Sequence, residues 1–261
     1  MLLPQKLSSP SEPSLALGEQ SVLKVLGQLH SFLNKSSEIT EDNVTSIIKL
    51  IPSILTTDSD KLLFSDPGIT QLSSLLELPS FQTEYLISCF QKLVTIPQCL
   101  DFILASPIPS QLVRFLPNEE PSPFSIHVVS LLSSVLFRSS FLIKQPSSFS
   151  CFFYIPPLLN CLSTSMSEQI LHDALNAMVA LMQTHKEVQC FDILLNETHF
   201  SKIKELTTIS FIMLPLLKIL ENLVKYPKGY DLVLSLDFIP FLSTSFSFSK
   251  CKRHTLRVLA F

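Results

Sequence analysis

Glycine is nearly missing from this chain, with four in 261 residues, and tryptophan is missing altogether. Phosphate-cradling loops and dinucleotide fingerprints both need clustered glycines. An ordinary α/β enzyme, with glycine at its tight βα turns, is therefore disfavoured. Charge is sparse too: Asp, Glu, Lys and Arg make up 16% of the chain, against about 25% in a typical globular domain. The net charge of −3 and the pI near 6.1 lack the basic excess of a general nucleic-acid binder. Paired cysteines are missing as well. Cys89, Cys99, Cys151, Cys161, Cys190 and Cys251 lie far apart with no C-x-x-C motif. They read as reduced, buried, small apolar residues, not as a disulfide framework or a zinc site.

No uninterrupted apolar run follows the start. Pro4, Lys6, Pro10, Glu12 and Pro13 break it up, so the pattern of a secretory signal is not met and a cytoplasmic protein is expected, with the nucleus also open to it. The sequons at Asn34, Asn43 and Asn196 then carry no meaning. Mean hydropathy is high, at +0.38, which raises the question of membrane spans. The longest uncharged stretch, Gln145 to Ser167, contains Pro146, Pro156, Pro157 and Asn160, and elsewhere charges interrupt the apolar runs. A spanning helix wants about 20 mostly apolar residues, so an integral membrane protein is not expected. Stacked helices buried on two sides explain the hydropathy instead.

What is present is repetition. An apolar helix pattern occurs at Ile47–Leu55, Leu86–Val94, Val128–Leu136, Ala174–Met182 and Leu216–Val224, and its matched residues Ile54, Leu93, Val135, Leu181 and Leu223 are spaced by 39, 42, 46 and 42 positions. A second element lies between these helices: Ile108-Pro109, Ile155-Pro156 and Ile239-Pro240, with degenerate copies at Ile69 and Phe200, spaced by 39, 47, 45 and 39. Proline presets φ for a first helical position and forces the residue before it to be extended, so each Ile-Pro is expected to start a helix. Short amphipathic stretches at Gln98–Ala105, Lys186–Leu195 and Gly229–Leu236 complete a unit of one short helix followed by two longer ones.

This three-part unit resembles the armadillo repeat family, within the wider armadillo/HEAT class. The best match is Lys218-Ile219-Leu220-Glu221-Asn222-Leu223-Val224, which resembles the end of the family's third helix. The resemblance covers residues 44–261 and implies an all-α fold, a right-handed α-solenoid of about five armadillo-like three-helix repeats. The departures are that the family's glycine before the second helix survives only as Gly68, and its asparagine only as Asn222; Ser53, Lys92, Ser134 and Ala180 stand at the equivalent places.

Three regions are expected: a disordered segment at 1–14, a capping helix and loop at 15–43, and the repeat array at 44–261 with its last repeat incomplete. Loops are expected at Ser36–Asn43, Asn118–Pro123, Lys144–Ser150 and Thr244–Ser249. The stretch Thr255–Phe261 aligns with Ala174–Ala180 and stops within a helix, which suggests a fragment of a longer product or an end covered by another surface.

Candidate chemistry is thin. None of the six histidines forms an H-E-x-x-H motif, no serine sits in G-x-S-x-G, and the paired acids Glu41-Asp42 and Glu119-Glu120 fall in expected loops. Asp173, after His172, reads as a first-turn acid that favours the helix dipole. The chain is not expected to be an enzyme, and no cofactor, metal ion or small-molecule substrate is expected. Residues four apart share a helix face. The non-apolar places on the third helices are Lys49, Ser53, Ser88, Lys92, Ser130, Ser134, Asn176, Lys218 and Asn222. They are candidates for partner contact on the concave face that the resemblance implies. The family's nuclear-import receptors hold basic peptides on Trp and Asn ladders, and that pattern is absent here. The Lys49, Lys92 and Lys218 stripe suits an extended or acidic segment better, as in adhesion- and signalling-type members; the cluster Lys250, Lys252, Arg253 and Arg257 extends that strip or is an ordinary solvated loop and helix start. The expected function is a non-catalytic protein-interaction scaffold for a peptide or partner helix, with no nucleic acid involved. The alternative is a regulatory or targeting module of a larger enzyme or trafficking complex.

Overall fold

In the computed structural model, residues 17–34, 41–77, 83–117, 123–140, 151–184 and 188–261 are described, and no strand occurs among them. The helices are α1 (Leu17–Leu33), α2 (Glu41–Ile54), α3 (Asp58–Leu75), α4 (Thr83–Leu93), α5 (Pro97–Ala105), α6 (Ile108–Leu112) and α7 (Pro123–Ser139). They continue as α8 (Cys151–Asn160), α9 (Glu168–Thr184), α10 (Val188–Leu194), α11 (Glu197–Glu205), α12 (Met213–Leu223), α13 (Pro227–Ser235), α14 (Ile239–Phe246) and α15 (Lys252–Leu259). The segment expected to be disordered, 1–14, and the loop at 144–150 lie outside the described residues. No helix among those described is long and apolar enough to cross a membrane.

The five apolar helices found by periodicity pack in chain order: α2 on α4, α4 on α7, α7 on α9, and α9 on α12, with α15 added beyond α12. They form a ladder in which every inner rung is flanked on both sides. The rung α9 shows the consequence most clearly: Ala174, Leu175, Ala177, Met178 and Leu181 are each at most 1% exposed. Burying one such Leu or Met contributes about 1.5–3 kcal/mol, and the alanines let neighbouring rungs approach. The remaining helices form the outer layer, with α3 against α5 and α8 against α10, while α1 packs on α2 and α3.

What turns the chain from rung to outer layer is an elbow that recurs. Leu93-Val94-Thr95-Ile96-Pro97 and Leu223-Val224-Lys225-Tyr226-Pro227 have the same form. Ile96 N donates to Leu93 O at 3.1 Å, and Tyr226 N to Leu223 O at 3.0 Å. Ile96 and Tyr226 are both extended (ψ 127° and 134°), as the following proline requires. That proline then opens α5 or α13 at the position where its missing N–H costs nothing. The first elbow reaches the same result by capping. Thr57 Oγ1 accepts from Asp60 N at 3.1 Å, and Asp60 Oδ2 accepts from Thr57 N at 3.0 Å, a reciprocal capping box. Hydrogen bonds from the Thr57 side chain and backbone hold the Asp60 carboxyl below its usual range.

Several expectations fail in detail. Ile155-Pro156-Pro157 does not start a helix; both prolines lie inside α8, which begins at Cys151. Pro156 is exposed and Pro157 half-buried, so the two missing N–H groups fall largely on the solvent side. Nor does Ile69 start one: α3 runs without a break through Pro67 and Gly68. A Cβ on Gly68 would stand 2.3 Å from the ring of Phe64, so the glycine makes room for a buried Phe and not for a turn. Phe200 lies within α11, whose start is set earlier, where Asn196 Oδ1 caps Thr198 N at 2.9 Å. Glu41, Asp42 and Asn43 belong to α2 and Thr244 to Phe246 to α14, where loops were expected.

Three of the cysteines join the layers. Cys89 Sγ donates to Ile48 O at 3.7 Å, the carbonyl that Pro52, inside α2, cannot bond. Cys99 Sγ donates to Lys61 O at 3.5 Å and Cys161 Sγ to Pro117 O at 3.8 Å. Burial pushes the Cys89 and Cys161 thiols up to about 12, so they stay protonated and serve as weak donors.

One glycine is fixed by a backbone approach that the sequence does not advertise. A Cβ on Gly229 would stand 2.1 Å from Leu223 O, at the elbow itself. Gly229→Ala is expected to lower stability by about 1–3 kcal/mol. Gly27→Ala in α1, where a Cβ meets nothing within 4 Å, is expected to raise it by about 0.5–1 kcal/mol. Thermal melts followed by circular dichroism check both signs.

Candidate binding face

The sequence candidates lie on the sides of the rungs turned away from the core. Lys49, Ser53 and Lys92 are exposed; Ser88, Ser130, Ser134, Asn176, Lys218 and Asn222 are half-buried. Ala180, which stands where the repeat would place another of them, is buried at 1% exposure, so the row is interrupted at α9. Neighbouring rungs are tied along this face. Lys49 Nζ lies 4.7 Å from the centre of the Tyr85 ring, from α2 to α4, and Arg138 Nη1 donates to Thr95 O at 3.4 Å.

The asparagines are held in place. Asn222 Nδ2 donates to Lys218 O at 2.9 Å, and its Oδ1 accepts from Lys225 Nζ at 2.8 Å. Asn176 Nδ2 lies 3.1 Å from His172 Nδ1. Asp173 is not a first-turn acid, because α9 starts at Glu168. It is buried a turn deeper, where Gln169 Nε2 donates to its Oδ2 at 2.7 Å.

One ion-paired triad was not singled out from sequence. Glu221 Oε2 is 2.6 Å from His254 Nδ1, and Glu221 Oε1 accepts from Arg257 Nη1 at 2.7 Å. This triad ties rung α12 to rung α15. Burial pushes the Glu221 carboxyl up, but the hydrogen bonds from His254 and Arg257, with their charges, outweigh it and hold the group below its usual range. The sequence offered Glu221 only as part of the best-matching motif and Arg257 only as part of a basic cluster, with nothing to pair them.

Two clefts open beside α12 and share Lys218. One, of about 470 Å³, is lined by His172, Asn176, Phe211, Leu214 and Phe248 among others. The other, of about 510 Å³, is lined by Lys225, Glu221, Asn222, His254, Arg257 and Tyr226 among others. Among the described residues no group of three or more His, Cys, Asp or Glu could hold a metal ion.

Because the folded-state carboxyl of Glu221 titrates low, its contribution to stability is present above the unfolded value of about 4.3 and is lost as pH falls through the folded value. Glu221→Gln is expected to lower the urea midpoint at neutral pH, with the difference from the unaltered protein shrinking below about pH 4. A deficit that stays constant well below that pH would contradict the assignment.

No protein-family model matches this sequence, and no curated protein matches it. Solved structures do. A computationally designed armadillo repeat protein for modular peptide recognition superposes with a TM-score of 0.68 at 12% identity, covering 92% of this chain and 98% of its own. A designed armadillo repeat protein in complex with the peptide (KR)4 superposes with a TM-score of 0.63 at 11% identity, covering 94% of this chain and 99% of its own. At such identities the likeness is one of fold alone. Taken with the ordered rungs and the lack of strands among the described residues, it shows that this protein has an armadillo-type fold, a right-handed α-solenoid of three-helix repeats.

Proposed function

We propose that this chain is a non-catalytic scaffold that binds an extended segment of a partner protein along the face of its ladder. The observation that carries this reading is the row of non-apolar side chains, from Lys49 on α2 to Asn222 on α12, displayed in chain order on rungs whose other sides are buried. An extended segment crossing the rungs meets one such position per layer, at intervals of about 8–10 Å. That suits a chain advancing about 3.3 Å per residue. The designed neighbours support the reading, since one was made for modular peptide recognition and another holds a peptide. Asn222, fixed by its bond to Lys218 O, is poised to offer hydrogen bonds without a large ordering cost. The named residues form no pairing of nucleophile and base, and the thiols of Cys89 and Cys161 are buried and protonated.

The test is a footprint. Peptides selected from a displayed random library against this protein are added, and backbone hydrogen exchange is compared with and without them. Protection on α4, α7, α9 and α12 is expected. Protection confined to outer helices such as α3, α5 and α11 would overturn the reading.

A further inference from the structure

The clefts beside α12 say what kind of segment the ladder would select, and this inference rests on the scaffold reading. Lys218 lies midway along α12. Towards the start of that helix the cleft displays aromatic rings: Phe211 is 38% exposed and Phe248 48% exposed, with Leu214 and Lys250 also in the lining. Towards its end the wall is cationic: Lys218 and Lys225 stand beside His254 and Arg257. The acid in that cleft, Glu221, already accepts from Arg257 and contacts His254. Among the described residues neither Lys218 nor Lys225 forms an ion pair with a carboxylate; Lys225 donates only to the neutral Asn222. Lys218 and Lys225 therefore present two charges with no carboxylate partner in one cleft, and two exposed aromatic rings lie in the other beside Lys250.

We propose that the junction of α9, α12 and α15 selects a partner-protein segment in which an acidic residue adjoins a bulky apolar one. Successive side chains of an extended strand point to opposite sides. A segment crossing α12 over Lys218 sends one side chain towards Lys225 and the next towards Phe211 and Phe248. The carboxylate gains charge-assisted hydrogen bonds from the lysines. The apolar neighbour buries area against the rings. A basic segment such as the (KR)4 peptide of the designed neighbour meets like charge here. A nucleic-acid strand fits less well: α9 carries no Lys or Arg, so its evenly spaced phosphates would cross a rung with no cation.

The experiment selects from a displayed random peptide library on the folded protein, then measures the enriched peptides by fluorescence polarisation. Enriched sequences are expected to carry Asp or Glu next to Phe, Leu, Ile or Met. Replacing the peptide's carboxylate by its amide is expected to weaken binding about tenfold or more. This arm uses the unaltered protein, so folding cannot confound it. The joint variant Lys218→Gln with Lys225→Gln, which removes the two charges without setting new acids beside Glu221, is expected to weaken the same peptides to a similar degree, with little change in melting temperature. Enriched peptides without the acidic–apolar pair, or an amide swap that changes affinity less than about twofold, overturn the assignment but leave the scaffold reading standing. Displacement of the peptide by a tighter-binding polyuridine oligomer overturns it in favour of nucleic acid. Absence of any enriched peptide overturns both readings.

Discussion

Every layer of this protein is stabilised by the layer one repeat away. The apolar flank of each rung has no other way to leave water, because no rung is wide enough to bury itself. The polar contacts obey the same reach. Cys89 to Ile48, Cys99 to Lys61, Gln111 to Ser73 and Arg257 to Glu221 span 41, 38, 38 and 36 positions, each close to one repeat step. Stability is then approximately a sum of rungs and nearest-neighbour interfaces. The fold needs no long-range closure, and its contacts extend in one direction only.

That constraint makes the elbows important, since they set where each rung stops and the chain returns to the outer layer. Two chemistries solve the same problem. At Ile96 and Tyr226 the following proline enforces an extended residue and opens the next helix. At Thr57 a capping box with Asp60 does so. At α13 the next turn is made by Asp237, a non-glycine residue with φ of 52°. Phe238 N reaches back to Val233 O at 3.2 Å, the bonding pattern of a Schellman end. A chain with four glycines thus shapes its turns with Pro, Thr and Asp.

The rungs were legible in the sequence because burial on two flanks writes a period of about 40 residues into the apolar pattern. The helix starts were less so. Proline marks a start only when the residues before it are not themselves helical, and at Pro156 the preceding Tyr154 and Ile155 are buried within α8. At Pro67 the preceding helix carries buried Phe64, for which Gly68 makes room. The outward row, Lys49 to Asn222, followed from the spacing of polar residues on apolar helices, save for Ala180, which the close packing of α9 buries. The Glu221, His254 and Arg257 triad was not legible. Its members lie 33 and 36 positions apart, and nothing in a linear pattern says which charges of successive rungs meet.

A row of rungs in chain order also presents one set of side chains per layer to anything laid across it. The most direct test of that arrangement is a series of distances between spin labels, with one label at Ser53 on α2 and the other placed in turn at Lys92, Ser134 and Asn222. A ladder predicts distances that rise with each placement, by about 8–10 Å for every rung crossed. A series in which Asn222 lies no farther from Ser53 than Ser134 does would show a closed bundle and contradict the account.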